Sequence, residues 1–238
     1  MFTIIRKLKN HVMFLLEQKY AIIEPRDKFT ISKGSFRKYL PKNPVIIDCG
    51  AHIGADSIEL SKIFPNAQIH SFEPVPGVFE QLSRGASSYK NIFRHQLALS
   101  NENKKSKMFV SSMGSDGSSS LLPPKTHLED HPNVLFEEVI EINAKTLDTW
   151  AKENNITHVD LLWLDMQGFE YQALEASPKI LATVKVIHTE VSIKETYEGV
   201  LMYSSFKKWL QEQGFEAVKE VIPEGTDMGN VVFVRSKV

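Results

Sequence analysis

The run Val45-Ile46-Ile47-Asp48-Cys49-Gly50-Ala51-His52-Ile53-Gly54, answered downstream by Ser71-Phe72-Glu73-Pro74, constrains this chain more than any other feature. An apolar stretch of strand length ends in an aspartate and a turn carrying glycine. A helical pattern follows from Ala55 to Phe64, and a second apolar stretch, Ala67 to Phe72, delivers an acid at its carboxyl end. Strand, tight loop, helix and strand in that order form a parallel unit with a nucleoside-sized site at the strand tips. There an acidic side chain accepts two ribose hydroxyls, and a helix amino terminus favours an anionic group. Without a ligand, Asp48 and Glu73 would only cap strand ends, and Gly50 and Gly54 would only serve turn geometry.

The cofactor is argued from what is missing. A dinucleotide site wants three glycines, the second letting backbone approach a pyrophosphate. Counted from Gly50, those positions hold Gly50, His52 and Ala55, so only the first fits and His52 crowds a pyrophosphate. S-adenosylmethionine carries no phosphate. Asp48 suits its ammonium group and Glu73 its ribose diol. The rival enzyme reading, an NAD-dependent or nucleotide-sugar oxidoreductase, lacks its glycines. A rival of another class is a cofactor-binding scaffold without catalysis.

From Val45 onward apolar strands alternate with helical segments, which predicts a mostly parallel, doubly wound α/β sheet with helices on both faces. Ile92 to Leu99 reads as the third strand, after a helix around Val78 to Ala86. Lys107 to Val110 and Val134 to Ile142 read as further extended pieces. Between them the serine-rich segment 111–120 is too long and polar for an economical connection, and reads as a functional lid or a floppy insertion. A helix from Thr146 to Asn154 precedes the buried strand Val159 to Asp165, and Gly168 opens another helix. Then come a strand, Val184 to Val191, a helix, Ser204 to Glu212, and two strands from Gly214 to about Arg235. Those two follow each other without a helix, so one runs antiparallel, and seven strands is the expected count.

Residues 1–43 read as an extension and 44–238 as the catalytic domain. Apolar residues at helical spacing up to about Gln18, with Arg6, Lys7, Lys9 and Lys19 among them, suit a helix that lies on a membrane, docks a partner or, foremost, packs on its own domain or on a twin subunit in a homodimer. The chain has 238 residues, enough for one full core. Its net charge of −1 gives no electrostatic reason to expect nucleic acid. The longest apolar run of the amino-terminal segment, Val12 to Leu16, is too short to span a bilayer, so a cytoplasmic protein is expected. The single cysteine, Cys49, excludes an internal disulfide framework and reads as a small buried packer.

Ligands of open α/β sheets bind beyond the carboxyl ends of the strands. Asp48, Glu73, Asp165 and Glu190 sit at or near such ends and are expected along one rim. Asp160 lies at the other end of its strand, about 17 Å away at roughly 3.3 Å per residue, and cannot join them. Methyl transfer to an alcohol needs a base for its proton or a metal that acidifies it. Asp165 suits the methyl-facing edge. His188 and Glu190, two apart on one strand, share a face, and His188 is the candidate base. Asp165, His188 and Glu190 together offer three ligands for a magnesium-like ion, a divalent metal that nothing else in the sequence supports. Trp163 reads as core, whereas Phe169 and Tyr171 suit an acceptor cleft.

Together these pieces resemble the FkbM family of S-adenosylmethionine-dependent methyltransferases. The matching segments are Ile46 to Gly54, Phe72-Glu73-Pro74, Ala98-Leu99-Ser100, Ser118-Ser119-Ser120-Leu121, Leu164-Asp165-Met166-Gln167-Gly168-Phe169-Glu170 and His188-Thr189-Glu190. The resemblance implies the Rossmann-like, seven-stranded class I methyltransferase sheet and O-methylation of a sugar, polyketide or similar small-molecule or glycan acceptor. By position it implies Asp48, Gly50, Ala51, Gly54, Glu73 and Pro74 as cofactor-binding residues, with Leu99 near the adenine and Asp165 beside the reacting methyl. His52 and Gln167 stand where the family commonly has asparagine and glutamate. The catalytic candidates are therefore Asp165, His188 and Glu190.

Overall fold

The structure, a computed structural model, describes residues 31–112, 117–127 and 132–236. The amino-terminal helix expected up to about Gln18 lies outside these residues. The main sheet is built from β1 (Val45–Cys49), β2 (Gln68–Phe72), β3 (Ile92–His95), β7 (Leu161–Leu164), β8 (Val186–Ser192), β9 (Phe215–Val221) and β10 (Met228–Arg235). Their order is β3-β2-β1-β7-β8-β10-β9, and β10 alone runs against its neighbours, between β8 and β9. The expected seven-stranded, mostly parallel α/β sheet with a terminal hairpin is what forms.

Every residue of β1 is buried, as a central parallel strand covered on both faces demands. Alternation sends Ile47 and Cys49 to one face, with Trp150, Leu174 and Phe206, and sends Ile46 to the other, with Leu60, Leu82 and Phe36. The first face is covered by α3 (Leu147–Glu153), α4 (Glu170–Glu175), α5 (Pro178–Leu181) and α6 (Tyr203–Glu212), and the second by α1 (Ala55–Ile63) and α2 (Pro76–Gly85). A short 3-10 helix, Lys33–Lys38, joins that second layer. Ile31 and Phe36 are fully buried there, so this part of the expected extension packs into the sheet's own core.

The apolar run Ile92 to Leu99 does not make one strand. It breaks at Gln96 and Leu97, so that β3 closes the edge of the main sheet while β4 (Ala98–Leu99) pairs with β6 (Leu135–Lys145). With β5 (Lys104–Ser112), antiparallel to β6, these strands form a separate three-stranded sheet. The two extended pieces foreseen around 107 and 134 belong to this second sheet.

The chain winds from β1 through β2 to β3 on one side and resumes with β7 on the other side of β1. That reversal opens a crevice at the carboxyl ends of β1 and β7, where ligands of such sheets bind. At the opposite end the Asp160 carboxylate accepts the Val45 N–H at 2.9 Å and pairs with Lys185 at 2.8 Å. It fastens the start of β1 and takes no part in the rim.

Candidate active site

The loop after β1 needs its first glycine. Gly50 has φ +78°, and a Cβ there would stand 1.8 Å from the Asp165 carbonyl oxygen. The Gly50 and Ala51 N–H groups donate to the Phe72 carbonyl at 3.1 and 2.9 Å, and the Asp165 N–H donates to the Cys49 carbonyl at 3.0 Å. The ends of β1, β2 and β7 are thereby laced together. Gly54, φ +89°, then starts α1, where a Cβ would meet Leu82 at 2.5 Å.

Above this lacing lies a cleft of about 570 Å³, including its open mouth, within the size range of small-molecule and cofactor sites. Gly50, Glu73, Pro74, Leu99 and Asp165 border it, together with Cys49 and His52. Glu73 is buried, with Oε1 accepting the Val75 N–H at 2.8 Å and Oε2 the His52 N–H at 3.1 Å. Two backbone donors fix the carboxylate, and a carboxylate has lone pairs beyond those two bonds for a ribose diol. Leu97, Ala98, Leu99 and Phe72 form an apolar wall beside it that suits a flat base. Glycine where backbone is closest, an acid at the second strand and an apolar wall fit S-adenosylmethionine.

Three residues expected at the cofactor are placed differently. Ala51 and Gly54 belong to the loop backbone and do not border the cleft. Asp48 is 1 % exposed, and its side chain turns to the sheet face under α1, where Ser57 Oγ donates to it. Alternation along β1 causes this: Cys49, not Asp48, faces the cleft. Burial, reinforced by the charge of Asp56, pushes the Asp48 carboxyl up to about 8, against the opposing pull of Ser57 and Lys33. Asp48 shapes the loop from beneath.

Asp165 is half-buried in the cleft wall, and burial raises its carboxyl to about 6 despite a hydrogen bond from Gln167. Gln167 Nε2 donates to Asp165 Oδ1 at 2.8 Å and to Glu190 Oε2 at 2.9 Å. Glu190 thus shares that amide with Asp165 and does not border the cleft. Its carboxyl is pushed well above the ordinary range, by burial first and then by the charges of Asp165, Glu170 and Asp227. Glu170, at the start of α4, is buried, accepts the Met166 N–H at 2.8 Å and is raised to about 7.

His188 is not brought to the cleft. It is 4 % exposed and stacks on Trp163 with ring centroids 3.6 Å apart, on the face covered by Phe36 and Lys33. Burial, then the Lys33 charge, pushes its imidazole down to about 3, so it is neutral at ordinary pH. Mid-strand alternation explains the miss: His188 shares a face with Glu190, but four residues short of the end of β8 that face lies under the 3-10 helix Lys33–Lys38. Among the described residues no group of three or more His, Cys, Asp or Glu is arranged to hold a metal ion. Phe169 and Met166 border the cleft with apolar groups, whereas Tyr171 points away to Glu175 and Trp209.

Sequence reasoning missed Tyr197. It is 1 % exposed, and its hydroxyl lies 3.0 Å from Gln167 Oε1 and 2.7 Å from the Ser118 carbonyl. It sits on an irregular stretch with no periodicity to mark it. The serine cluster, by contrast, was legible. Gly117, Ser119 and Leu121 border the cleft, Ser120 bridges to Phe109 of β5, and Ser120 Oγ donates to the Gln167 carbonyl at 2.7 Å.

The methyltransferase FkbM domain model matches residues 48–217. The 2-O-methyltransferase NoeI of Sinorhizobium fredii (strain NBRC 101917 / NGR234) is 27 % identical over 242 residues, covering 98 % of each chain. Methyltransferase sdnD of Sordaria araneosa is 24 % identical, covering 82 % of this chain and 83 % of its own. Among solved structures, methyltransferase FkbM from Methylobacillus flagellatus KT superposes with a TM-score of 0.57 at 11 % identity. That match covers 90 % of this chain and 48 % of the other, a likeness that bears on fold alone. This chain belongs to the FkbM methyltransferase family and is an S-adenosylmethionine-dependent methyltransferase.

Proposed function

We propose that this enzyme methylates a hydroxyl of a small polar metabolite, a saccharide or glycan foremost, with Asp165 as the group that takes the hydroxyl proton. The observation that carries this reading is the Asp165 carboxylate in the wall of the cleft that Glu73 also borders, raised by burial to about 6. A carboxylate with that affinity for protons is still mostly ionised at neutral pH and is a better base than an exposed one. The name of a relative matched over nearly its whole length, a 2-O-methyltransferase, supports oxygen as the acceptor atom.

S-adenosylmethionine supplies an electrophilic methyl group on a sulfonium. The chain's own part is positioning and proton handling. Glu73 holds the ribose, the glycine turn lets backbone come close, and Leu99 packs the base. Asp165 orients the acceptor hydroxyl and accepts its proton as the oxygen becomes nucleophilic. Gln167 keeps that carboxylate aimed by donating to it. Phe169 and Met166 exclude water on the acceptor side.

The test is incubation with methyl-labelled S-adenosylmethionine and a panel of mono- and oligosaccharides, polyketides and amines, read by mass and by the position of the labelled carbon. Methyl ethers on a hydroxyl are expected. Label found only on nitrogen, sulfur or carbon overturns the reading.

A further inference from the structure

We propose that Tyr197 is a positioning residue that acts through the Gln167 amide to hold the Asp165 carboxylate in the cleft wall and to tie it to the serine-bearing segment 118–120. The inference rests on the role of Asp165 proposed above.

The hydrogen-bond inventory fixes the arrangement. An ionised Asp165 only accepts, so the amide presents its NH2 group to Asp165 Oδ1, at 2.8 Å, and with it to Glu190 Oε2, at 2.9 Å. Both amide protons are then used. The amide oxygen is left facing the Tyr197 hydroxyl at 3.0 Å. Burial, reinforced by the Glu190 and Asp165 charges, raises the phenol above its ordinary value, so it stays a donor at any working pH. Its single proton also faces the Ser118 carbonyl at 2.7 Å. One O–H thus lies between a loop carbonyl and the amide that orients the base. Ser120 Oγ holds the Gln167 backbone carbonyl at 2.7 Å, and Gln167 itself sits at φ +51°, a left-handed conformation costly for a residue with a Cβ. Contacts from both sides keep it there.

The amide matters because acids crowd Asp165. Gln167 donates to it, Glu190 on β8 shares that amide, and Glu170 on α4 is close enough to interact with it. Asp56 on α1 opposes its ionisation, Asp48 on β1 lies within electrostatic reach, and Asp227 bears on Glu190. His52 in the loop after β1 favours the ionised form. Withdrawing the amide N–H groups removes hydrogen bonds to the charged form, so Asp165 would hold its proton to higher pH.

Tyr197→Phe keeps the ring and removes the hydroxyl, and Gln167→Ala reads the same contact from its other side. The first measurement needs no ligand: 13C NMR titration of side-chain-labelled aspartate, the Asp165 signal assigned by its loss in Asp165→Asn. The Asp165 midpoint is expected to rise by roughly one pH unit in Gln167→Ala and by less in Tyr197→Phe. The double variant is expected to rise no further than Gln167→Ala alone. The second measurement is kcat against pH. Its acid limb should move with the NMR midpoint, while the KM for S-adenosylmethionine stays within about twofold, since the contact touches orientation and not cofactor binding. An Asp165 titration in Tyr197→Phe that overlays the parent, or additive effects in the double variant, overturns the proposal. An NMR midpoint that moves while the kcat profile stays fixed keeps the positioning and overturns the base role of Asp165.

Discussion

Glu73 and Asp165 are each the first residue beyond the strand position paired with Cys49, Glu73 after Phe72 on β2 and Asp165 after Leu164 on β7. Equal register on the two sides of β1 puts both acids at one level, roughly 10 Å apart across two strand spacings of about 4.8 Å. Gly50 leaves the space between them open to backbone. In the function proposed above one acid meets the ribose and the other the reaction, which a one-residue slip of either strand would prevent by turning its acid to the opposite face.

Glu73→Ala should weaken binding of S-adenosylhomocysteine by about 1–3 kcal/mol, or roughly 5- to 150-fold, because ribose hydroxyls lose a charged acceptor. Part of that loss is indirect, since Glu73 also anchors the His52 N–H. Glu73→Gln separates the parts by keeping one acceptor oxygen for the backbone. Calorimetric titration checks both, and unchanged affinity in Glu73→Ala removes this residue from the ribose site.

Gly50→Ala should be severely destabilising. The added Cβ would lie 1.8 Å from a backbone oxygen, which cannot rotate away as a side chain does, and φ +78° is itself strained for alanine. A loss of several kcal/mol in urea denaturation, or failure to fold, is expected. Gly77 is the control, because a Cβ there meets nothing within 4 Å. Gly77→Ala in α2 should be neutral or stabilising by up to about 1 kcal/mol.

Asp48 gives a pH signature in stability. Its folded carboxyl, raised from 3.8 to about 8, favours the protonated form in the native state. The sign follows: its stabilising contribution is complete below the unfolded value near 4 and is lost as pH rises through 8. Asp48→Asn mimics the protonated form and should be more stable than the parent at pH 8, with the difference vanishing toward pH 4. Urea denaturation of both proteins across that range checks it. A parent that gains on the variant as pH rises would mean that Asp48 is held ionised.

Much of this was readable in the chain because strand-end acids and glycine turns leave local signatures. Asp48, Gly50, Glu73 and Asp165 mark three strands by sequence alone, and the parallel order of the sheet follows from the alternation of apolar runs and helical segments. What stayed hidden depends on which face a side chain takes at the strand end. The sequence puts Asp48 on the rim and offers His188 as the base, yet alternation turns both beneath the helical layer, a matter of one or two residues that periodicity cannot fix there. The partition of the extended segments into two sheets, with the chain breaking at Gln96 and Leu97, was equally hidden, because pairing partners are far apart in sequence. Tyr197 was invisible for the same reason: its meaning lies in contacts to residues 118 and 167.

Asp165→Asn should separate chemistry from binding. Asparagine preserves shape and can still accept the Gln167 N–H, but it cannot take a proton at working pH. A general base typically contributes 10²- to 10⁴-fold, so turnover should fall within roughly that range while affinity for S-adenosylhomocysteine changes by less than about threefold. In the parent enzyme kcat should decline as pH drops through about 6, where burial places this carboxyl, and level off above it. The decline has this direction because protonation of the base removes its function. His188, pushed down to about 3 by burial, would instead place any such limb far lower. Steady-state kinetics from pH 5 to 9 on the parent, Asp165→Asn and His188→Phe distinguish the two. Equal losses of turnover and cofactor affinity in Asp165→Asn would make this residue a cofactor ligand, and a limb that disappears only in His188→Phe would return proton transfer to the histidine.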